Sequence, residues 1–301
     1  MLLSSTSFSL DTACVAVVGL GLIGGSLAKA LKKKTGCTVV GFDRDDGTLA
    51  KALASGAIDR AGQPDDLTGC QLVFIALYPG DTVDFALGAL EKGQLAPGTI
   101  LSDLCGIKRF LRDSLALPCR EKGVHYVGAH PMAGRETSGF DNALDSLYDN
   151  ASVILTPDAD AAPAAVEALR CLFKKLGFGQ IVQTDPEKHD QMIAYTSQLA
   201  HVLSSAYIQN PLSTAYSGFT GGSFQDLTRV ARLNCDMWGE LFDRNRDLLC
   251  QQLDVLMELL GAYRDALKRQ DEAALRFLME RGTRIKNQLL KEAQQPDLSV
   301  E

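Results

Sequence analysis

One short run limits the fold of this chain more than any other. Gly19-Leu20-Gly21-Leu22-Ile23-Gly24 follows the apolar stretch Cys14-Val15-Ala16-Val17-Val18 and opens a helix-like stretch over 22–34. Three glycines at this spacing, between a strand and a helix, have separate duties. The first permits a tight turn, the second lets the backbone approach a pyrophosphate, and the third lets helix pack on strand. The amides at the helix N-terminus attract the anion. The helix carries Leu27, Ala28 and Leu31 at helical spacing and ends in Lys32-Lys33-Lys34, where cations suit its dipole. An acidic residue closing the next strand would bind the adenosine ribose hydroxyls, and Asp43 stands there, after Val39-Val40-Gly41-Phe42. Asp43 repels a 2′-phosphate and so favours NAD over NADP, while the adjacent Arg44 softens that preference.

The rest of the first half alternates strand and helix patterns. Strands are predicted at 38–42, 71–77, 99–103, 124–128, 152–155 and 180–183, with helices at 46–55, 81–92, 107–117 and 160–176. The run from Gln71 to Leu77 is continuously apolar, as a parallel sheet covered on both faces requires. This alternation implies βαβ units and a doubly wound parallel sheet, a Rossmann-type α/β domain over 1–183. At Asp185-Pro186 the character changes, because Asp185 can cap a helix and Pro186 suits its first position. Beyond it helix patterns dominate, as in Leu249, Leu253, Leu256 and Leu260. Residues 184–301 therefore read as an all-α helical domain, with 210–223 as its main loop.

Composition removes other classes. The chain has 301 residues, enough for about two domains of ~100–200 residues. Hydrophobic residues make up 46 % and charged residues 22 %, which excludes a disordered or fibrous chain. No run approaches the ~18 apolar residues of a membrane span, so no membrane partner is expected. The net charge of −7 comes without a basic segment, so no nucleic-acid partner is expected either. Residues 1–10 lack a basic n-region and read as a disordered lead-in, and Gln294 to Glu301 read as frayed. The eight cysteines form no C-x-x-C pair and no zinc spacing, so no metal is expected. They read as reduced, mostly buried thiols of a cytoplasmic protein.

Of the four histidines, His125 falls inside a predicted strand and His189, soon after the helix cap, is expected at the surface. His201 lies among Leu199, Ala200, Val202 and Leu203 and by itself reads as a core residue. His130 differs. It sits just past a predicted strand in Gly128-Ala129-His130-Pro131-Met132-Ala133-Gly134, and ligands of open α/β sheets bind beyond the carboxyl ends of strands. Small neighbours leave room for a substrate, and a neutral imidazole there can accept a proton from a substrate hydroxyl as hydride leaves the same carbon. Arg229, in Asp226-Leu227-Thr228-Arg229-Val230-Ala231, offers a guanidinium that can grip a carboxylate.

Together these segments resemble the prephenate and arogenate dehydrogenase family of tyrosine biosynthesis. The resemblance rests on Val17 to Ala28, on Gly128 to Gly134 with Glu136 and Ser138-Gly139, on Gly221 to Ala231, and on Met237-Trp238 with Asn245. It implies an NAD-dependent oxidoreductase that performs oxidative decarboxylation of prephenate to 4-hydroxyphenylpyruvate, or of arogenate to tyrosine. It implies that His130 hydrogen-bonds the ring hydroxyl, that Arg229 binds a substrate carboxylate, and that His201, Glu136 and Trp238 belong to the substrate pocket. The expected cofactor set is Gly19, Gly21, Leu22, Ile23, Gly24, Asp43, Arg44, Leu77 and Asp103. A homodimer through the helical domain is implied as well.

Two departures stand out. Where the family commonly has Asp-x-Gly-Ser-Val-Lys, this chain has Asp103-Leu104-Cys105-Gly106-Ile107-Lys108, so the serine thought to orient the catalytic histidine is Gly106. Before His201 the family often has Ser-x-Leu-Pro, and here Ser197-Gln198-Leu199-Ala200 stands. Rival readings are a β-hydroxyacid dehydrogenase or imine-reductase-like enzyme, and a dinucleotide-binding sensor without catalysis.

Overall fold

The computed structural model describes residues 12–215 and 217–294. The expected lead-in over 1–10, and the expected frayed end beyond Gln294, lie outside these residues. The first half runs β1 (Cys14–Val18), α1 (Leu22–Lys34), β2 (Thr38–Phe42), α2 (Asp46–Ala54), β3 (Arg60–Ala61), β4 (Leu72–Ile75), α3 (Pro79–Glu91), β5 (Ile100–Asp103), α4 (Arg109–Glu121), β6 (His125–Pro131), β7 (Ser152–Pro157), α5 (Pro163–Lys175) and β8 (Gln180–Gln183). The eight strands form one sheet in the order β3-β2-β1-β4-β5-β6-β7-β8. The chain leaves β1 towards one edge and crosses back to β4 on its other side, which makes the β1–β4 boundary the switch point where such sheets bind ligands.

The apolar strands alternate between two cores. Val15, Val17, Val39, Leu72 and Phe74 join the α1 residues Leu27 and Leu31 on one face. Ala16, Val18, Val40, Val73 and Ile75 join Val83 and Ala86 of α3, and Leu111 and Leu115 of α4, on the other. A strand buried on both faces has no polar side, which is why these runs read as continuous. Each large aliphatic side chain buried this way contributes about 1.5–3 kcal/mol of transfer free energy.

The structure corrects the all-parallel expectation at one place. β7 pairs antiparallel with β6, from Val127 opposite Pro157 to Pro131 opposite Val153, whereas the other neighbouring pairs are parallel. Between β6 and β7 the only helical element is a short turn, Phe140–Asn142. Without a crossover helix the chain returns on the same side, and an antiparallel pair results. The thiols are also less uniformly interior than expected. Cys37, Cys70, Cys105 and Cys119 are buried, whereas Cys171, Cys235 and Cys250 are exposed.

After β8 the chain is helical: α6 (Pro186–Ile193), a π turn over Ala194–Gln198, α7 (Leu199–Ile208), α8 (Gly222–Thr228), α9 (Cys235–Arg244), α10 (Arg246–Lys268) and α11 (Glu272–Gln294). Asp185 caps α6 as its sequence suggests, accepting from the Lys188 amide at 2.7 Å, with Pro186 in the first turn. By compactness the chain divides within α10, into a unit ending at Leu249 and a unit beginning at Cys250. Helices α6 to α9 thus belong with the sheet, although the strands end at 183. The second unit holds the rest of α10 and α11, and leaves Val255, Met257, Leu260, Phe277, Ile285 and Leu289 exposed. No helix of the described residues is long and apolar enough to cross a membrane.

Candidate active site

Four neighbouring parallel strands, β1, β4, β5 and β6, deliver their carboxyl ends to one edge of the sheet. The loop after β1 is a tight glycine turn. Gly19 has φ of +84°, and a Cβ there would lie 2.6 Å from the Ala76 carbonyl oxygen and 2.7 Å from Leu77 Cδ2. A Cβ on Gly24 would lie 1.9 Å from the Gly19 oxygen, so strand, turn and helix are in contact only because both positions lack one. Around Gly21 a Cβ would meet nothing within 4 Å, which leaves an open approach to the backbone. No side chain caps α1, so its first amides face that opening without internal partners. Leu22 and Ile23 are the first two residues of the helix. Asp43 follows β2, and its Oδ2 accepts the Leu20 amide at 2.8 Å. The carboxylate is thereby fixed against the glycine turn, where a ribose can reach it. Arg44 beside it is exposed.

Asp103 stands apart from that group. It is 1 % exposed, and its oxygens accept from the Lys108 ammonium, the Tyr126 hydroxyl at 2.7 Å and the Cys105 amide at 3.0 Å. Its carboxylate is spent on a buried charge rather than offered to a cofactor, because an unpaired ammonium inside the sheet would be far costlier than the pair. The Lys108 stem crosses β6 at Gly128, where a Cβ would lie 3.0 Å from Lys108 Cδ.

His130 is the penultimate residue of β6, half-buried rather than beyond the strand. Its Nδ1 lies 2.9 Å from His189 Nε2, and His189 Nδ1 lies 2.7 Å from Asp190 Oδ1. His189 was expected at the surface, and that expectation is corrected: it is 1 % exposed. The reason is visible in α6. Pro186, His189, Asp190 and Ile193 form its buried stripe, and the two polar members of the stripe are the ones that bond inward. Burial, the neighbouring His189 and the Lys108 charge hold His130 well below the ordinary histidine pKa. Burial lowers that of His189 too. Both rings are therefore neutral near pH 7. A Cβ on Gly106 would lie 3.8 Å from His130 Nε2 and 3.6 Å from Leu241 Cδ2, so the space beside Nε2 holds no side chain from this loop.

The remaining expected residues fall into two pairs. His201, on α7, donates from Nδ1 to the Ser197 carbonyl at 2.8 Å and stacks on Trp238 with ring centroids 3.9 Å apart. Burial lowers its pKa, and the Arg229 charge adds to the effect. Arg229, which follows α8, pairs with Glu136 from the loop after β6, and both are exposed. Trp238 and Leu241 share α9, so the helix that stacks on His201 also reaches Gly106 beside His130. The residues that sequence reasoning missed are His189, Asp190 and the Lys108–Asp103 pair. The spacing 186, 189, 190, 193 on a capped helix was the available signal for the first two.

Comparison with known proteins agrees with this architecture. Residues 27–182 match the family described as prephenate dehydrogenase, nucleotide-binding domain, and residues 185–281 match prephenate dehydrogenase, dimerization domain. A prephenate dehydrogenase of Bacillus subtilis is 29 % identical over 267 residues, covering 85 % of this chain and 71 % of the relative. The structure of an arogenate dehydrogenase from Synechocystis is similar, with 26 % identity, a TM-score of 0.75, and 92 % and 99 % of the two chains covered. A prephenate dehydrogenase from A. aeolicus, solved with hydroxyphenyl propionate and NAD+, shares the fold at a TM-score of 0.82 and 24 % identity, with 95 % and 100 % covered.

Proposed function

The chain belongs to the prephenate dehydrogenase family, and we propose that it carries out the NAD-dependent oxidative decarboxylation of prephenate to 4-hydroxyphenylpyruvate. The observation that carries this reading is a neutral histidine whose Nε2 faces a glycine, Gly106, at the same sheet edge as a glycine loop suited to a pyrophosphate. The residues fit the cofactor: the open backbone at Gly21, the uncapped start of α1 and the anchored Asp43 would hold its pyrophosphate and adenosine ribose. When bound, NAD supplies the hydride acceptor.

His130 accepts the ring hydroxyl at Nε2 and takes up its proton as the carbon below gains carbonyl character. Loss of hydride and cleavage of the bond to the ring carboxylate leave an aromatic ring and CO₂. The new phenol oxygen recovers its proton, so the overall reaction releases none. Arg229 would meet a substrate carboxylate, which would compete with Glu136 for the guanidinium. His201 and Trp238 would form one wall of the pocket. The exposed apolar residues of α10 and α11 support pairing with a second copy of the chain, in keeping with the dimerization family matched by residues 185–281.

Arogenate is the second reading. His201 commits its Nδ1 proton to Ser197, so when neutral its Nε2 is an acceptor suited to an ammonium as well as to a bridging water. A side-by-side assay of reduced nicotinamide formation with prephenate and with arogenate tests both. Turnover with prephenate is the expected result. Turnover with arogenate alone moves the substrate and keeps the chemistry. Silence with both, with NADH still bound, overturns the reading.

A further inference from the structure

We propose that His189 and Asp190 are positioning residues that hold His130 in one tautomer, proton on Nδ1 and lone pair on Nε2, so that the lone pair meets the substrate hydroxyl. The inference rests on the reading of His130 as the acceptor of that hydroxyl.

Asp190 Oδ1 accepts the Lys108 amide at 2.7 Å, and Oδ2 accepts the Arg109 amide at 2.9 Å. Main-chain N–H groups only donate, so both oxygens are committed as acceptors. The Arg109 guanidinium adds a positive charge, with Nε 3.5 Å from Oδ2. Facing such a carboxylate, His189 Nδ1 must donate. A neutral imidazole has one N–H, so His189 Nε2 carries a lone pair. That lone pair faces His130 Nδ1 at 2.9 Å, so His130 donates from Nδ1 and its Nε2 is left bare. The hydrogen-bonded row has one consistent assignment of protons, and the assignment ends in a base.

The groups that face the two rings keep them neutral. The Lys108 ammonium opposes protonation of both, while Asp190 and Asp103 act in the other direction on His189, and burial outweighs them. The aspartate is itself held from two sides. Its carboxylate sits at the start of α4, and its carbonyl accepts from Asn245 Nδ2 at 3.0 Å. Asn245 in turn accepts from Arg109 at 3.0 Å. An aspartate that fixes the tautomer of a histidine is the logic of hydrolytic triads, here extended by a second imidazole. It also explains how Gly106 is tolerated. Orientation comes from the Nδ1 side, so no hydroxyl is needed at Nε2, where one would compete with the substrate.

The test uses the full-length enzyme with nicotinamide cofactor and its cyclohexadienyl substrate. In Asp190→Asn the amide can donate to His189, which reverses both tautomers and places a proton on His130 Nε2. The expected result is a fall in kcat of about 10²-fold or more. KM and NAD affinity should stay within about threefold, and the His130 15N resonances should exchange their protonated and bare signatures. Asparagine also removes an acceptor from the start of α4, so His189→Ala is the second variant. Its kcat should fall similarly and recover about tenfold or more on addition of imidazole. A folded Asp190→Asn enzyme with unchanged kcat and tautomer overturns the inference, as does a His189→Ala enzyme with unchanged kcat or one that imidazole leaves unrestored. If His130→Asn is inactive while these variants are active, only the inference fails. If His130→Asn keeps its activity, the reading of His130 fails with it.

Discussion

The glycine loop after β1 and the histidine row at the end of β6 lie on the same edge of the sheet and are built in opposite ways. The loop works through backbone: absent side chains, a positive φ at Gly19 and the uncapped amides of α1. Its parts lie within 25 consecutive residues, Gly19 to Asp43. The histidine row works through side chains, and His130 and His189 are 59 positions apart. A backbone device is robust to its surroundings but intolerant of a Cβ at its tight positions, Gly19 and Gly24. A side-chain row tolerates space but depends on which atom holds each proton. The two regions should therefore fail differently when they are altered.

The largest effect is expected at His130. His130→Asn removes the proposed base while leaving the loop after β1 intact. Turnover should fall by about 10²–10⁴-fold, with NAD binding unchanged. Steady-state rates and a cofactor titration check this. A comparable loss of NAD affinity would mean that the two regions are not separable.

Gly24→Ala probes the other region. The new methyl would lie 1.9 Å from the Gly19 oxygen, so the turn must open or the helix must move. Overpacking of this kind costs about 1–3 kcal/mol. If that cost falls on the bound state, NAD affinity drops by roughly 5- to 150-fold at 1.4 kcal/mol per decade. The His130 15N signature should stay unchanged. Retained affinity would show that the loop adapts and that backbone packing is not its working principle.

These contrasts also account for what could be read in the sequence. The Gly19–Gly24 run, Asp43 and the Asp185-Pro186 cap are local, and local geometry is written in residue type. His189 was misplaced because the spacing 186, 189, 190, 193 signals a buried stripe but not the partners, His130 and the start of α4, that its polar members meet. The direction of β7 depended on a missing crossover helix between 132 and 151, which an alternating pattern does not reveal. Asp103 was expected to face the cofactor, since its place at the end of β5 is plain in the sequence, but its pairing with Lys108 is a matter of packing across Gly128.

The pH dependence separates the regions more gently. Protonation of His130 removes the lone pair, so the rate falls as pH falls through its pKa. Burial, His189 and Lys108 hold that pKa well below 6.5. The acid limb of kcat/KM should therefore lie below pH 6.5, with rates flat from there through pH 7. Stability has the same sign: an unfolded histidine takes up a proton near pH 6.5 while the folded one does not, so stability declines as pH drops below that value. NAD binding, which we assign to backbone amides and Asp43, should not follow this limb. A limb at or above pH 6.5 would contradict the neutral assignment of His130.

The smallest effect is expected at Gly106. A serine there would place its Cβ 3.8 Å from His130 Nε2 and 3.6 Å from Leu241 Cδ2, both ordinary contacts. No positive φ is recorded at this position, so the backbone accepts a side chain. The hydroxyl could donate to Nε2, worth about 0.5–1.5 kcal/mol for a typical hydrogen bond. The substrate hydroxyl needs the same lone pair, so the added bond holds the free enzyme and must be released before reaction. Gly106→Ser should therefore change kcat by less than about threefold and raise KM modestly, at most by the roughly tenfold that such a bond represents. A tenfold gain in kcat would mean that His130 lacks orientation in this chain and that its support from Nδ1 is insufficient. A near-neutral result would mean that the tautomer is already fixed from behind, and that the side-chain region, like the glycine loop, gains nothing from an added atom.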